Sequence, residues 1–164
     1  LREFRESERP RDFAFLLRPT LRAFNEFAQL LDRMLSDNIN YDFFPPDMSR
    51  EREVVRPDSK IVIERKGSLQ LLDEWLSRIT FPDPTPKDEA IATLREIRRL
   101  RQKPAHAIAE DEFSQEYFHR QRQLVIRAYV AVRTLRLIFA NHPSCTGYSK
   151  EIADWIYEGR IRNF

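Results

Sequence analysis

The residues whose types and spacing could do chemistry lie at Arg101-Gln102-Lys103-Pro104-Ala105-His106. A guanidinium and an imidazole meet there at the end of a helix, separated by one short proline-bearing turn. Histidine titrates near neutrality and can trade a proton, and arginine makes charge-assisted hydrogen bonds to phosphate or carboxylate oxygens. On the helix that leads into this turn, Ala90, Ile91, Leu94 and Ile97 define an inward face. At about 100° per residue, Arg101 falls at the centre of that face and Arg98 on its edge, while Arg95 and Arg99 point outward. An inward guanidinium needs a partner: a carboxylate, free helix carbonyls or an external phosphate.

The other chemistry-bearing residues read more plainly. Arg99 with His106 and Arg136 with His142 have similar spacing, but Arg136 sits on a polar face where its helix runs out at Asn141-His142-Pro143. His142 and Cys145 form no oriented nucleophile–base pair, because Pro143 intervenes and nothing positions the base. His119 reads as a solvated or phosphate-side residue. The three histidines are scattered without paired carboxylates, so no metal site is expected. Tyr41, Phe43 and Phe44 are either a hydrophobic plug beneath a loop or a stacking platform for bases. Asp83 and Asp88 flank prolines and read as caps.

The elements that must position these residues follow from hydrophobic periodicity. Phe24, Phe27, Leu31 and Met34 recur at helical spacing and predict a helix over 19–35. A long loop follows near residues 37–60, within which 47–56 could form a short charged helix and Ile61-Val62-Ile63 is either a strand or a helical turn. Ser68 is a plausible N-cap for a second helix bearing Leu69, Leu72, Leu76 and Ile79. Thr85-Pro86-Lys87-Asp88 reads as the start of a third, with Thr85 as cap and Pro86 first inside, which Pro104 stops. A long fourth helix fills roughly 112–140, and Ser149 caps a last short one that ends before Gly159. The sum is an all-α bundle of four to five helices, with residues 1–12 as a charged lead-in or linker and 13–164 as a single helical domain.

The fourth helix carries two apolar faces. Phe113, Tyr117, Leu124, Ala128, Ala131, Leu135 and Ile138 make a broad core face, widened by Val125, Val132 and Phe139. Arg122, Arg133 and Arg136 lie roughly opposite. Beside them runs a narrow strip of Ile126, Val130 and Leu137, which either a C-terminal helix with Ile152, Trp155 and Ile156 or a second subunit would cover.

Leu100-Arg101-Gln102-Lys103-Pro104-Ala105-His106, followed by a long helix, resembles the motif of the HEPN superfamily. The resemblance spans about residues 68–140. It implies a helical bundle, usually dimeric, that cleaves RNA without a metal through attack of the 2′-hydroxyl on the adjacent phosphate. By that resemblance His106 would be the acid/base, Arg101 would stabilise the phosphate, and Gln102 would occupy the polar position. Arg98, Lys103 and Arg122 would line the RNA cleft, and Ile126, Val130 and Leu137 would form the dimer interface. A toxin or defence effector fits this class, although Ala107 and Ile108 stand where the AMPylation-regulated branch has a tyrosine. The alternative is a non-catalytic helical module that binds a protein partner or RNA.

Composition bounds these readings. The chain has 164 residues, 41% of them hydrophobic and 33% charged, which suits one folded domain. No apolar run approaches the roughly 18 residues of a membrane span. Three glycines against ten prolines argue against Gly-rich phosphate loops and many tight β-turns. The single cysteine excludes an internal disulfide and fits a reducing compartment. The first residue is Leu1 and no signal-like segment follows, so a cytoplasmic fragment of a longer polypeptide is expected, with no cofactor. The net charge is only +2, but 117–150 contains no Asp or Glu and six Arg or Lys. Such segregation makes either a phosphate-attracting face or a helix matched to its own dipole. Arginine's 23 occurrences against lysine's 5 suit phosphate recognition, as they also suit a GC-rich genome.

Overall fold

Thr20 opens the first helix by accepting a hydrogen bond at Oγ1 from the Ala23 N–H at 3.2 Å, satisfying one of the donors that a helix start leaves without a partner. This helix, α1 (Leu21–Ser36), leads to a 3-10 turn (Tyr41–Phe43), strands β1 (Glu51–Val55) and β2 (Ile61–Arg65), and then helices α2 (Ser68–Leu76), α3 (Thr85–Gln102) and α4 (Glu116–Ala140). The structure is a computed structural model that describes residues 18–36, 38–102, 112–145 and 147. The expected helix at 149–158, with Ile152, Trp155 and Ile156, and the lead-in at 1–12 lie outside the described residues.

The mostly helical expectation holds, with a small two-stranded sheet added to the helices. The long loop expected near 37–60 holds as far as residue 50, but in place of a short charged helix over 47–56, Glu51–Val55 is a strand of an antiparallel hairpin, in register Glu51↔Arg65 through Val55↔Ile61, and Ile61-Val62-Ile63 takes the strand alternative. Two features overrule helical charge spacing. Val54, Val55, Ile61, Val62 and Ile63 are β-branched and pair across the strands, and Pro57 cannot continue a helix. The turn is built for reversal. The Ser59 N–H donates to Arg56 O at 2.8 Å, Asp58 Oδ1 accepts from the Lys60 N–H at 3.3 Å, and Ser59 takes the left-handed φ of 62°.

Helix starts differ from expectation by one or two residues. Gly67, not Ser68, is the N-cap of α2, and no side chain caps that helix. At α3 the cap falls to Asp83, whose Oδ1 accepts from the Thr85 N–H at 2.9 Å, so Thr85 lies inside the helix. The hydrogen bonds from Thr85, backbone first and side chain second, hold the Asp83 carboxyl below its usual range.

Helix α3 is the spine of the molecule, packing against α1, α2 and, most extensively, α4. One core cluster joins Phe24, Phe27, Ala28 and Leu31 of α1 to Ile97 and Leu100 of α3 and to Tyr117, Leu124 and Ala128 of α4. The other joins Leu69, Leu71, Leu72, Trp75 and Leu76 of α2 to Ile91 and Leu94 of α3, with Leu135, Ile138 and Phe139 of α4 against it. Late residues of α3 thus meet early residues of α4, so the two helices run antiparallel. Phe44 and Met48 are buried in the second cluster, and Phe43 makes edge contacts with Trp75 and Phe139. Phe44 is therefore a plug, while Phe43 stays 47% exposed. Two residues expected in the core face are not there: Phe113 is 64% exposed and Val132 is also exposed. Phe113 lies before α4 begins, where its backbone bridges to Thr20: Leu21 N–H donates to Glu112 O and Ser114 N–H to Pro19 O, both at 2.9 Å.

Candidate functional site

Arg101 and Arg98 of α3 converge on one buried carboxylate, Asp32 of α1. Asp32 follows Ala28 by four residues and so shares the buried side of α1 with Phe24 and Ala28. It is 2% exposed, a position where a lone charge would be strongly unfavourable. Arg101 Nη1 donates to Asp32 Oδ2 at 2.7 Å, and Arg98 Nε lies 3.6 Å from Oδ1, an ion pair too long for a good hydrogen bond. The requirement for a partner to Arg101 is thus met by a carboxylate.

Arg101 itself is placed differently from expectation. It lies on the angular stripe of Ala90, Leu94 and Ile97, but its side chain is 50% exposed. The reason is axial: the stripe reaches Arg101 only in the last turn of α3, beyond the packed core, and the long side chain keeps its charged head at the water boundary. One edge of the guanidinium is fixed on Asp32. The solvent-facing half leaves donors that an incoming oxyanion can take.

Of the other sequence-derived candidates, Gln102 closes α3. Lys103 and His106 lie outside the described residues, so the Arg101–His106 separation is not on view. Arg122 is exposed on α4. It lies about 140° around the helix from Arg127, the residue that binds Glu96 of α3. Within one chain it therefore faces away from Arg98 and Arg101. Ile126, Val130 and Leu137 are all exposed, Val130 at 47%. The His142 ring lies 5.8 Å from that of Trp75. His119 is exposed.

Asp32 is the residue that sequence reasoning missed. Its signal was present: an acid at helical spacing from Phe24 and Ala28 interrupts an apolar stripe. Beside the site, the Tyr117 hydroxyl donates to Glu112 Oε2 at 3.1 Å. Burial, then the Glu112 hydrogen bond and charge, push the Tyr117 phenol above its ordinary value, against the opposing pull of Arg120.

Comparison with protein-family models, curated proteins and solved structures finds no match to this chain. Among the described residues, no three His, Cys, Asp or Glu side chains are grouped to hold a metal ion. No described helix is long and apolar enough to cross a membrane.

Proposed function

We propose that this chain is a HEPN-like, metal-independent endoribonuclease domain, of toxin or defence type and acting in the cytoplasm, that cleaves RNA through 2′-hydroxyl attack. The observation that carries the reading is the pose of Arg101. Fixed by buried Asp32 and half in solvent at the end of α3, its guanidinium is pre-oriented toward whatever docks there. In this reading Arg101 stabilises the charge that develops on the phosphate, His106 moves the proton of the 2′-hydroxyl and the leaving group, and Gln102 holds the polar position beside them. Arg98 and Lys103 attract the RNA backbone. Because Arg122 faces away within one chain, it would join a cleft only across a homodimer.

The test is incubation of the pure protein with single-stranded RNA in EDTA. Cleavage is expected, and His106→Ala should slow it at least a hundredfold, the scale of a lost general acid–base group. Cleavage that survives His106→Ala overturns the reading. A second reading, a non-catalytic module that binds a partner protein or RNA, is favoured by the exposed Ile126, Val130 and Leu137 strip. RNA binding without cleavage supports that one. Homodimerisation through the strip predicts that Val130→Glu shifts a dimer to a monomer in light scattering; an unchanged mass removes the interface.

A further inference from the structure

A cavity of about 450 Å3 opens where the hairpin, the start of α2 and the last turns of α3 meet. Its lining is Arg52 of β1, Gly67, Leu69 and Gln70 at the start of α2, and Arg95, Arg98 and Arg99 of α3. Four guanidiniums from two separate elements thus surround one hollow. The hairpin's two faces differ in a way that matters here. Glu51, Glu53, Val55, Ile61, Ile63 and Arg65 share the face on which every residue is exposed, whereas Arg52 lies on the other, with half-buried Val54, Val62 and Glu64. Strand alternation therefore presents the arginine to the cavity and keeps Glu51 and Glu53 on the opposite face.

The acids nearby neutralise only part of the cluster. Arg52 pairs with Glu64 at 3.1 Å and Arg95 with Asp73 at 2.7 Å, while Arg98 shares Asp32 with Arg101. Glu74 is engaged by Lys66 and Gln70. Arg99 has no carboxylate partner among the described residues. The pairs of Arg52 and Arg95 are solvent-exposed, the kind worth little and readily exchanged for a stronger anion. The α2 N-terminus adds the positive end of a helix that no side chain caps.

We propose that this cavity is a binding site for adjacent phosphates, in the form either of an RNA backbone or of the tail of a nucleoside di- or triphosphate. The volume exceeds what a single phosphate fills and falls within the range of small-ligand sites. Four guanidiniums supply more donors than the three free oxygens of one phosphate accept. Among the described residues no aromatic side chain lines the cavity, so the ligand is held through its phosphates. Of its four arginines the cleavage reading assigns only Arg98; Arg52, Arg95 and Arg99 are new to this site, and their binding of phosphates does not require that Arg101 and His106 cut RNA.

The experiment is titration of the full chain with inorganic pyrophosphate, ADP and a 5′-labelled oligoribonucleotide, at two salt concentrations, using calorimetry and fluorescence anisotropy. Arg99→Gln and Arg52→Gln are exposed changes away from the buried core and should leave the fold intact by circular dichroism. Each is expected to weaken binding about tenfold, the scale of one lost charge-assisted contact, and to lower the salt slope for the oligonucleotide by about one. Arg133→Gln, on the exposed side of α4, should leave all three affinities unchanged. Binding of pyrophosphate and ADP assigns the site to a nucleotide tail. Binding of the oligonucleotide alone, lost in the same two variants, assigns it to the RNA backbone. No binding of any probe, or binding equally strong in Arg52→Gln and Arg99→Gln, overturns the proposal. Because the readout is affinity, an inactive but phosphate-binding protein separates this outcome from failure of the ribonuclease reading.

Discussion

Asp32 joins α1 to Arg101 and Arg98 of α3 from a buried position, whereas Glu96 joins α3 to Arg127 of α4 through two hydrogen bonds on partly exposed surface. The better geometry belongs to the second pair and the deeper burial to the first. In a wet environment even a bidentate ion pair is weak, because water serves both ions nearly as well. In a dry one the pair is costly to assemble and costlier to break, because the survivor is stranded. Contribution to stability should therefore follow burial rather than the number of hydrogen bonds.

The largest expected effect sets the scale for that contrast. Ile97 is completely buried between the two seams, and Ile97→Ala should cost about 3 kcal/mol in urea unfolding, from lost transfer energy plus the cavity left behind. Next comes Arg101→Ala, which strips the buried Asp32 carboxylate of its shortest ion pair. About 2 kcal/mol is expected, below the value for a fully buried pair because the guanidinium is half in water. Asp32→Asn strands no buried charge and keeps an acceptor for Arg101, so it should cost only about 1 kcal/mol. A larger loss for Asp32→Asn than for Arg101→Ala would break the comparison. Arg127→Ala should cost about 0.5 kcal/mol and less in high salt.

The smallest effect is a pH dependence. Burial, with the Glu112 hydrogen bond, raises the Tyr117 phenol above the ordinary tyrosine value of 10.0. Its contribution is complete below that value and is lost as pH rises through the folded-state value. Between pH 9 and pH 11 the urea midpoint should fall further in the native protein than in Tyr117→Phe; equal falls would show that the hydroxyl is not buried against Glu112.

The helices were legible because their evidence is local. Phe24, Phe27 and Leu31, or Ile91, Leu94 and Ile97, announce a buried face at a spacing that needs no knowledge of what they touch. The hairpin was harder, because Glu51-Arg52-Glu53 has the charge density of an exposed helix and the β-branched residues that decide the matter are few. The site was legible by half. That Arg101 must have a partner followed from its place on an apolar stripe; that the partner is Asp32 did not, since that pairing joins positions distant in sequence. The arginine-lined cavity was the least visible feature. Arg95 and Arg99 do point away from the core, as their spacing says, but only the hairpin folding back beside them turns an outward face into an open hollow. Gly67 as cap and the exposure of Phe113 likewise depend on how neighbouring segments dock.

The short ladder between Thr20 and Phe113 has a kinetic consequence. Its two hydrogen bonds use backbone atoms only and connect the approach to α1 with the approach to α4. Segments so remote along the chain meet only after the intervening helices have assembled, so this latch closes late and opens only when the body comes apart. The amides of Leu21 and Ser114 should then exchange with deuterium at one common, slow rate, making them paired reporters of cooperative opening.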